Sequence, residues 1–326
     1  MNPLYSVVIP VYNGAETLPA CLKALQRQTV PPETYEVIVV DDGSTDGSAD
    51  VARKFDVRLI SQSNAGPAAA RNRGAEEARG EILLFTDADC IPCSDWIEQM
   101  TMPFTHAEVT GAKGTYRTRQ RGWIPRFVQL EYEDRYDRMR NQPSIDFVDT
   151  YSAAYRRDIF LRAGGFDPAF PTASVEDQEL SFRLAEQGYH LVFVPEAHVF
   201  HTHNNTLWAY VRRKFWIGYW KVRVMHKHPD KLVRDSHTPQ VLKLQIGLAA
   251  LGALLIGGKG LNKKLGYLGW ASWGGLVISG LPFLLKILQR DPAIFLIAPL
   301  MLFIRAWTLG LGFLVGSAKW SFNRLH

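Results

Sequence analysis

Gly80–Cys93 reads GEILLFTDADCIPC. Ile82–Phe85 is an apolar run of four, bounded by a glycine and an acidic turn, which predicts a strand buried in a parallel sheet. Two carboxylates, Asp87 and Asp89, follow it with small Ala88 between them. Open α/β sheets place their ligands at the carboxyl ends of such strands. Two aspartates there can share a hard divalent cation, which in turn can neutralise a diphosphate. The same side chains can instead close a turn and cap a helix beginning near Ser94. On this stretch alone both readings stand.

Upstream, strand and helix alternate. Tyr5–Ile9 is a short β-branched run that stops at Pro10-Val11-Tyr12-Asn13-Gly14. Leu18, Cys21, Leu22 and Leu25 then fall at helical spacing and predict a helix over 15–28. Val37–Val40 is a second buried strand, followed by Asp41-Asp42-Gly43-Ser44-Thr45-Asp46. Ser44 or Thr45 is placed to cap a helix over 46–54. Arg58–Ser61 reads as a third strand, and 66–79 as a helix carrying Arg71, Asn72 and Arg73. This alternation predicts a doubly wound α/β domain. No GxGxxG follows the first strand, so phosphate has to be held by metal and arginine rather than by a glycine-rich helix start.

Downstream come a helix over 94–104 and a strand over 109–117. Trp123, Phe127, Leu130 and Asp134 then trace one face of a helix. Its arginines and tryptophan suit a membrane surface or an acceptor cleft, and its apolar face suits docking on the domain core. Gly164-Gly165-Phe166-Asp167 is a turn with an aromatic anchor. Glu176-Asp177 precedes the helical pattern of Leu180, Phe182 and Leu184, and acidic residues in a first turn are expected from the helix dipole alone. Leu191–Val194 is the last clear strand, with His198, His201 and His203 after it.

Charge divides the chain into three parts. Residues 1–206 carry a net −9, residues 207–235 a net +6 and residues 236–326 a net +8. A nucleic-acid partner needs basic side chains on the folded face that grips phosphates. Here they flank hydrophobic segments, which points to anionic lipid headgroups and no nucleic acid. Three cysteines, Cys21, Cys90 and Cys93, make no disulfide framework, and no signal-peptide pattern opens the chain. The Cys90–Cys93 pair has no matching zinc ligands and reads as small, partly buried side chains. The first two thirds are expected to be cytosolic and reduced.

Trp208–Arg223, WAYVRRKFWIGYWKVR, reads as an interfacial helix with aromatic rings at headgroup depth and arginines and lysines on lipid phosphates. Three apolar segments follow, about 242–258, 265–285 and 292–318. Leu265–Leu285 has 21 residues without a charge and meets the length of a span. Pro292–Ala318 is interrupted only by Arg305, so it is one helix with a costly arginine or a re-entrant pair. Such a charge faces a partner, a phosphate or water. Three spans would put Lys319 and Arg324 outside, against the positive-inside tendency; two spans with Leu244–Gly258 at the interface agree with it.

Taken in order, these motifs resemble family 2 glycosyltransferases of the GT-A fold, over about residues 4–220. The resemblance rests on Pro10-Val11-Tyr12-Asn13, Val40–Asp46, Asn64-Ala65-Gly66 with Ala70-Arg71-Asn72-x-Gly74, Asp87-Ala88-Asp89, Gly164–Asp167 and Glu176-Asp177. It implies a nucleotide-diphospho-sugar transferase domain with a Rossmann-like α/β fold in residues 1–206, then the amphipathic interface helix and transmembrane helices. Asp41 and Asp42, with backbone at Pro10, Val11 and Tyr12, would hold base and ribose. Arg71 would approach the diphosphate or frame the nucleotide pocket. Asp89 would bind Mn²⁺ or Mg²⁺, joined by His201 or His203, with Asp87 toward the ribose or donor sugar. Asp177 would be the catalytic base, with Glu176 its competitor.

The resemblance further implies an inverting transfer from a cytosolic nucleotide sugar to a lipid-linked saccharide or glycolipid, at the inner (plasma) membrane with the catalytic domain cytoplasmic. The QxxRW element of processive members is replaced here by Arg213-Lys214-Phe215-Trp216, which argues for transfer of one sugar or a few. Trp123, Arg213 and Trp216 are the expected acceptor-side residues. Two alternatives accompany this reading: a polyprenyl-phosphate sugar synthase, in which the acceptor phosphate itself attacks, and a non-catalytic scaffold of a polysaccharide-export complex. A nucleotidyltransferase would need a basic glycine-rich loop that PVYNG does not supply.

Overall fold

The computed structural model describes residues 3–170, 175–232, 236 and 238–322. Arg324, expected outside the membrane in a three-span chain, lies outside the described residues. The chain forms two compact units, Met1–Arg119 with Tyr136–Thr202, and Gln120–Arg135 with His203–His326.

The first unit is a mixed α/β fold of the GT-A type around an eight-stranded sheet. Its first half follows the sequence closely: β1 (Tyr5–Val11), α1 (Leu18–Leu25), β2 (Tyr35–Asp41), α2 (Ser48–Ala52), β3 (Arg58–Ser61), α3 (Pro67–Glu77) and β4 (Ile82–Phe85). The strands lie in the order β3-β2-β1-β4, all parallel. Parallel pairing needs a crossover connection between strands, and α1, α2 and α3 supply it. The second half departs from a purely parallel sheet. There β5 (Cys90–Pro92), α4 (Trp96–Thr101), β6 (Val109–Arg117), β7 (Ala153–Arg156), α6 (Arg157–Arg162, after α5 below), α7 (Glu176–Glu186) and β8 (His190–His201) complete the order with β7-β6-β8-β5. Strand β7 is antiparallel to β4 and β6, β6 runs parallel to β8, and β5 runs antiparallel to β8.

Several local expectations are corrected. Neither Ser44 nor Thr45 caps α2: Gly47 precedes it, and Asp46 Oδ1 accepts the Ser48 amide at 3.0 Å. Asp87 and Asp89 cap nothing, because β5 separates them from α4. The last strand does not stop at Val194 but runs to His201, since its far end pairs with β5 through Cys90–His201, Ile91–Phe200 and Pro92–Val199. The core packs around β4, where the Phe85 ring meets Tyr155, Phe160 and Phe166 at 5.3–6.2 Å between centroids. Large rings at these separations hold the sheet to α6 and the glycine-glycine loop beyond it.

The second unit is helical. Helix α5 (Trp123–Met139) enters it with its first half, and α8 (Leu207–Lys227), α9 (Gln240–Gly257), α10 (Lys263–Ser279), α11 (Leu281–Arg290), α12 (Pro292–Phe295) and α13 (Ala298–Phe322) follow. Phe127 and Leu130 of α5 are buried with Tyr210, Ala249, Leu276, Leu302 and Ala306. The docked reading of α5 therefore holds for its first half, on the helical core. The segment expected as one span over 265–285 is broken: Pro282 opens a new helix after Gly280, and α10 and α11 meet at 48°. Among the described residues two helices are long and apolar enough to cross a membrane, Gln240–Gly260 and Ala298–Trp320.

Arg305 faces a protein partner. Its Nη1 donates to Glu131 Oε1 at 3.0 Å and its Nη2 to Gln245 Oε1 at 2.9 Å. Lys214 Nζ lies 3.0 Å from the other Glu131 oxygen, and Tyr210 donates to the same carboxylate. Burial alone would raise the Glu131 carboxyl, but Lys214 and Arg305 override it and hold the group down to about 2. Further pairs run from α5 to α11 and its end: Lys286 to Asp134 at 2.7 Å, Arg290 to Glu133 at 3.1 Å, and Arg126 to Asp291. Glu131→Ala strands two buried cations and is expected to cost about 3–5 kcal/mol. Glu133→Ala removes a partly exposed pair and should cost about 1 kcal/mol or less. Thermal melting of both variants in detergent checks the difference.

Candidate functional site

The carboxyl ends of β1, β2 and β4 converge on a set of acidic side chains in the first unit. The Asp42 amide donates to Val11 O at 2.8 Å, and Asn13 and Thr45 exchange hydrogen bonds with the opposite loop. Val11 is buried and Tyr12 exposed at this edge. Asp41 and Asp42 are both buried. Asp41 Oδ1 accepts the Ser44 amide at 3.1 Å. Asp42 is more heavily committed: its carboxylate accepts from Gln62 Nε2 at 2.7 Å and from the Ala65 and Gly66 amides, each at 2.9 Å. A carboxylate with three donors is a clasp for the loop that starts α3.

At the end of β4, Asp87 is half-buried and Asp89 exposed, with ligand atoms of Asp87, Asp89 and Cys90 all within 4.8 Å of one another. Burial, reinforced by the Asp87 and Asp89 charges, pushes the Cys90 thiol well above its ordinary value. A protonated thiol is no ligand for a hard cation, so oxygen donors decide the preference. His201 lies beside Asp89, its Nε2 3.2 Å from Asp89 Oδ2 and its ring stacked on Tyr116 at 4.7 Å. Two carboxylates and one imidazole fit Mn²⁺ or Mg²⁺. His203 is placed differently. It belongs to the helical unit, where its ring bonds Gln129 at 3.2 Å and stacks on Tyr132.

Arg71, on α3, is 2% exposed. Its Nη2 donates to Asp87 Oδ1 at 2.6 Å and its Nη1 to Glu176 Oε1 at 3.1 Å. The next residue, Asn72, clasps the glycine-glycine turn through Phe166 N and O at 2.9 and 2.8 Å. Gly164 and Gly165 both take positive φ there, 84° and 63°, which glycine adopts without a Cβ clash. Helix α3 thus ties the end of β4 to the first turn of α7.

Asp177 sits in that first turn, half-buried, with its Oδ1 accepting the Gln178 amide at 2.7 Å. Burial first, and the neighbouring Glu176 charge second, raise its carboxyl to about 7; the Gln178 amide, Arg71 and Lys113 pull the other way. Glu176 is buried and bonded to Arg71, which leaves Asp177 the better placed proton acceptor.

Sequence reasoning missed Lys113. It lies in β6, 1% exposed, paired with Asp149 and donating to Tyr151 Oη at 3.2 Å. Tyr151 stacks on Tyr116, which stacks on His201. The signal was a lysine in the middle of VTGAKGTY, a stretch of the strand with no other charge, where a cation has to find a buried partner. Trp123, Arg213 and Trp216 lie in the helical unit, all exposed.

Arg71→Met leaves Asp87 and Glu176 without their shared counter-ion and is expected to cost about 3–5 kcal/mol. Arg71→Lys keeps the charge without the two-pronged guanidinium and should fall between Met and the parent. Thermal unfolding of the three proteins checks the order.

The model described as Glycosyl transferase family 2 matches residues 6–163, and the one described as Glycosyl transferase family group 2 matches residues 87–315. Glycosyltransferase AglE of Haloferax volcanii is 32% identical over 203 residues, 59% of this chain and 64% of that protein. Validoxylamine A glucosyltransferase of Streptomyces hygroscopicus subsp. limoneus is 31% identical over 224 residues, 57% of this chain and 49% of that protein. The matched region thus spans less than two thirds of either relative. The mannosyltransferase PcManGT from Pyrobaculum calidifontis, solved with GDP-Man and Mn²⁺, superposes with a TM-score of 0.59 at 20% identity, covering 98% of this chain and 87% of that one. S. aureus TarS 1-349 with UDP superposes at 0.50 and 17% identity, covering 98% and 92%. These two superpositions speak to the fold.

Proposed function

The chain belongs to glycosyltransferase family 2, and on that premise we propose that it moves a sugar from a nucleotide-sugar donor to a lipid-linked saccharide or glycolipid with inversion at the anomeric carbon. The observation that carries the reading is the linked set Asp87–Arg71–Glu176, which holds the Asp87-Ala88-Asp89 turn and the raised Asp177 carboxyl in one buried framework. In this reading Asp41 and the backbone at Pro10–Tyr12 bind the nucleoside, and Asp42 acts through the loop it clasps. Asp87, Asp89 and His201 are the residues that would hold Mn²⁺ or Mg²⁺. When bound, the cation offsets the negative charge on the departing nucleoside diphosphate.

The reaction needs no nucleophile from the protein. The acceptor hydroxyl oxygen forms a bond to the anomeric carbon as Asp177 takes its proton, and the bond from that carbon to the diphosphate oxygen breaks on the opposite face. A carboxyl raised to about 7 suits this step, because its proton affinity approaches the working pH. The same feature favours a hydroxyl acceptor over a polyprenyl phosphate, which attacks without shedding a proton.

A membrane setting is supported by α8. Trp208, Arg212 and Trp216 recur every four residues and are all exposed, the pattern of a helix at headgroup depth on an anionic leaflet. The setting proposed is the plasma membrane, with the catalytic unit in the cytoplasm.

Asp177→Asn is expected to lower kcat by about 10²–10⁴ while donor binding persists. Because the base must be ionised, kcat/KM in the parent should be flat above about pH 7 and fall tenfold per unit below it. Full activity of Asp177→Asn, or an acid limb unchanged by it, overturns the assignment. Mn²⁺ titration followed by electron paramagnetic resonance is expected to show weaker binding, by about tenfold or more, in Asp89→Asn and His201→Ala, and parent affinity in His203→Ala.

A further inference from the structure

Helix α13 has the length and hydropathy of a span, Ala298–Trp320 at mean hydropathy 1.7. Its neighbour α8 does not. Between Arg212 and Lys227 α8 carries six basic side chains, Arg212, Arg213, Lys214, Lys221, Arg223 and Lys227, and no acidic one. The two helices are packed backbone to backbone. A Cβ added at Gly218 would collide with Leu309, one at Gly312 with Phe215, and one at Gly316 with Tyr219. Such glycine contacts bring helix axes close.

The pairing has a direction. Phe215 meets Gly312, Tyr219 meets Gly316, and Arg223 stacks over Trp320 at 5.4 Å. The partner numbers rise together by the same step, so the helices run parallel and side by side over at least two turns. Helices aligned in this way share one inclination. Either α8 follows α13 into hydrocarbon, or α13 stays with α8 at the surface.

The charges decide. Lysines and arginines at mid-bilayer are strongly disfavoured and need partners, cavities or access to headgroups. Lys214 has such a partner in Glu131. Arg212 is exposed on the helix surface, between Trp208 and Trp216. An apolar helix at the interface, by contrast, still buries one face in acyl chains. Helix α13 has that face: Leu300, Leu311, Leu314 and Val315 are 47–62% exposed and follow one another at helical spacing, away from the glycine seam.

We infer that α13 lies along the anionic leaflet beside α8, on the side of the catalytic unit, and does not cross the bilayer. The partner surface is phospholipid: headgroup phosphates for the tryptophan-arginine stripe of α8, and the upper acyl chains for the leucine stripe of α13. Lys319 then stays on the catalytic side, in keeping with the positive-inside tendency. The inference rests on the membrane setting proposed above and removes α13 from the elements that cross the bilayer.

Single cysteines test it in the full-length chain. Cys21 and Cys90 are buried, so Cys93→Ser provides a background for single cysteines at the two ends of α13, Leu296→Cys just before it and Ala318→Cys near its end, with Ser61→Cys in the catalytic unit as the reference for sidedness. A membrane-impermeant maleimide is applied to right-side-out and to inverted vesicles. The expected result is labelling of positions 296, 318 and 61 all from the same face. Labelling of 296 and 318 from opposite faces, which a crossing α13 gives in a two-span and in a three-span chain alike, or of either from neither face, overturns the inference while the membrane setting stands. Absence of the protein from the membrane fraction overturns the setting, and the inference with it.

Discussion

A charge removed from water has to be matched where it lies, and each unit of this protein is built around one such match. In the catalytic unit the Arg71 guanidinium, 2% exposed, is held between Asp87 and Glu176. In the helical unit the Glu131 carboxylate is held between Lys214 and Arg305. Desolvation of an ion costs several kcal/mol and is recovered only when the opposite charges are fixed in good geometry. That requirement works backwards on the chain. The end of β4, the middle of α3 and the first turn of α7 are far apart in sequence, and Arg71 leaves them little freedom to move separately. Asp177 inherits its position from this arrangement, and part of its raised proton affinity from Glu176 beside it.

The sequence made the parallel half of the sheet readable because each of its strands is a local event. Ile82–Phe85 and Arg58–Ser61 fall where the apolar runs place them, residue for residue. The antiparallel half was less readable, because its strands exist through one another. Cys90–Pro92 is three residues long and is a strand only by pairing with β8. The extension of β8 to His201 depends on the same pairing, and it also separates two histidines that sequence alone left equivalent. His201 is the last strand residue and bonds Asp89; His203, two positions on, has left the sheet and turns into the helical unit. The acidic motif residues were legible from the family resemblance. The burial of Arg71 and the Lys113–Asp149 pair were not, because nothing near either residue names its partner.

Hydropathy was a poorer guide to the helical unit than to the sheet. A count of uncharged residues measures length and carries no information about direction, so the run over 265–285 hid a break that Gly280 and Pro282 produce. Arg305 shows the opposite failure. Read along the chain it is a costly charge in an apolar segment; in three dimensions it is satisfied by Glu131, a residue of α5. Both cases have one cause. The cost of a side chain in lipid is set by what packs against it, and the partner here comes from another part of the sequence.

The same reasoning bears on why a metal belongs in the proposed mechanism. The first 206 residues carry a net −9, and the site adds Asp41, Asp87, Asp89, Glu176 and Asp177 to the neighbourhood of a dianionic donor. Its two buried cations are already spent: Arg71 on Asp87 and Glu176, Lys113 on Asp149. Drawing Arg71 toward a diphosphate would leave the Asp87 and Glu176 carboxylates without their shared counter-ion, at a cost larger than one exposed hydrogen bond returns. In the proposed mechanism, positive charge for the leaving group therefore arrives with the donor. Asp87 and Asp89, with His201 3.2 Å from Asp89, are the residues of the right hardness that the proposal gives to it.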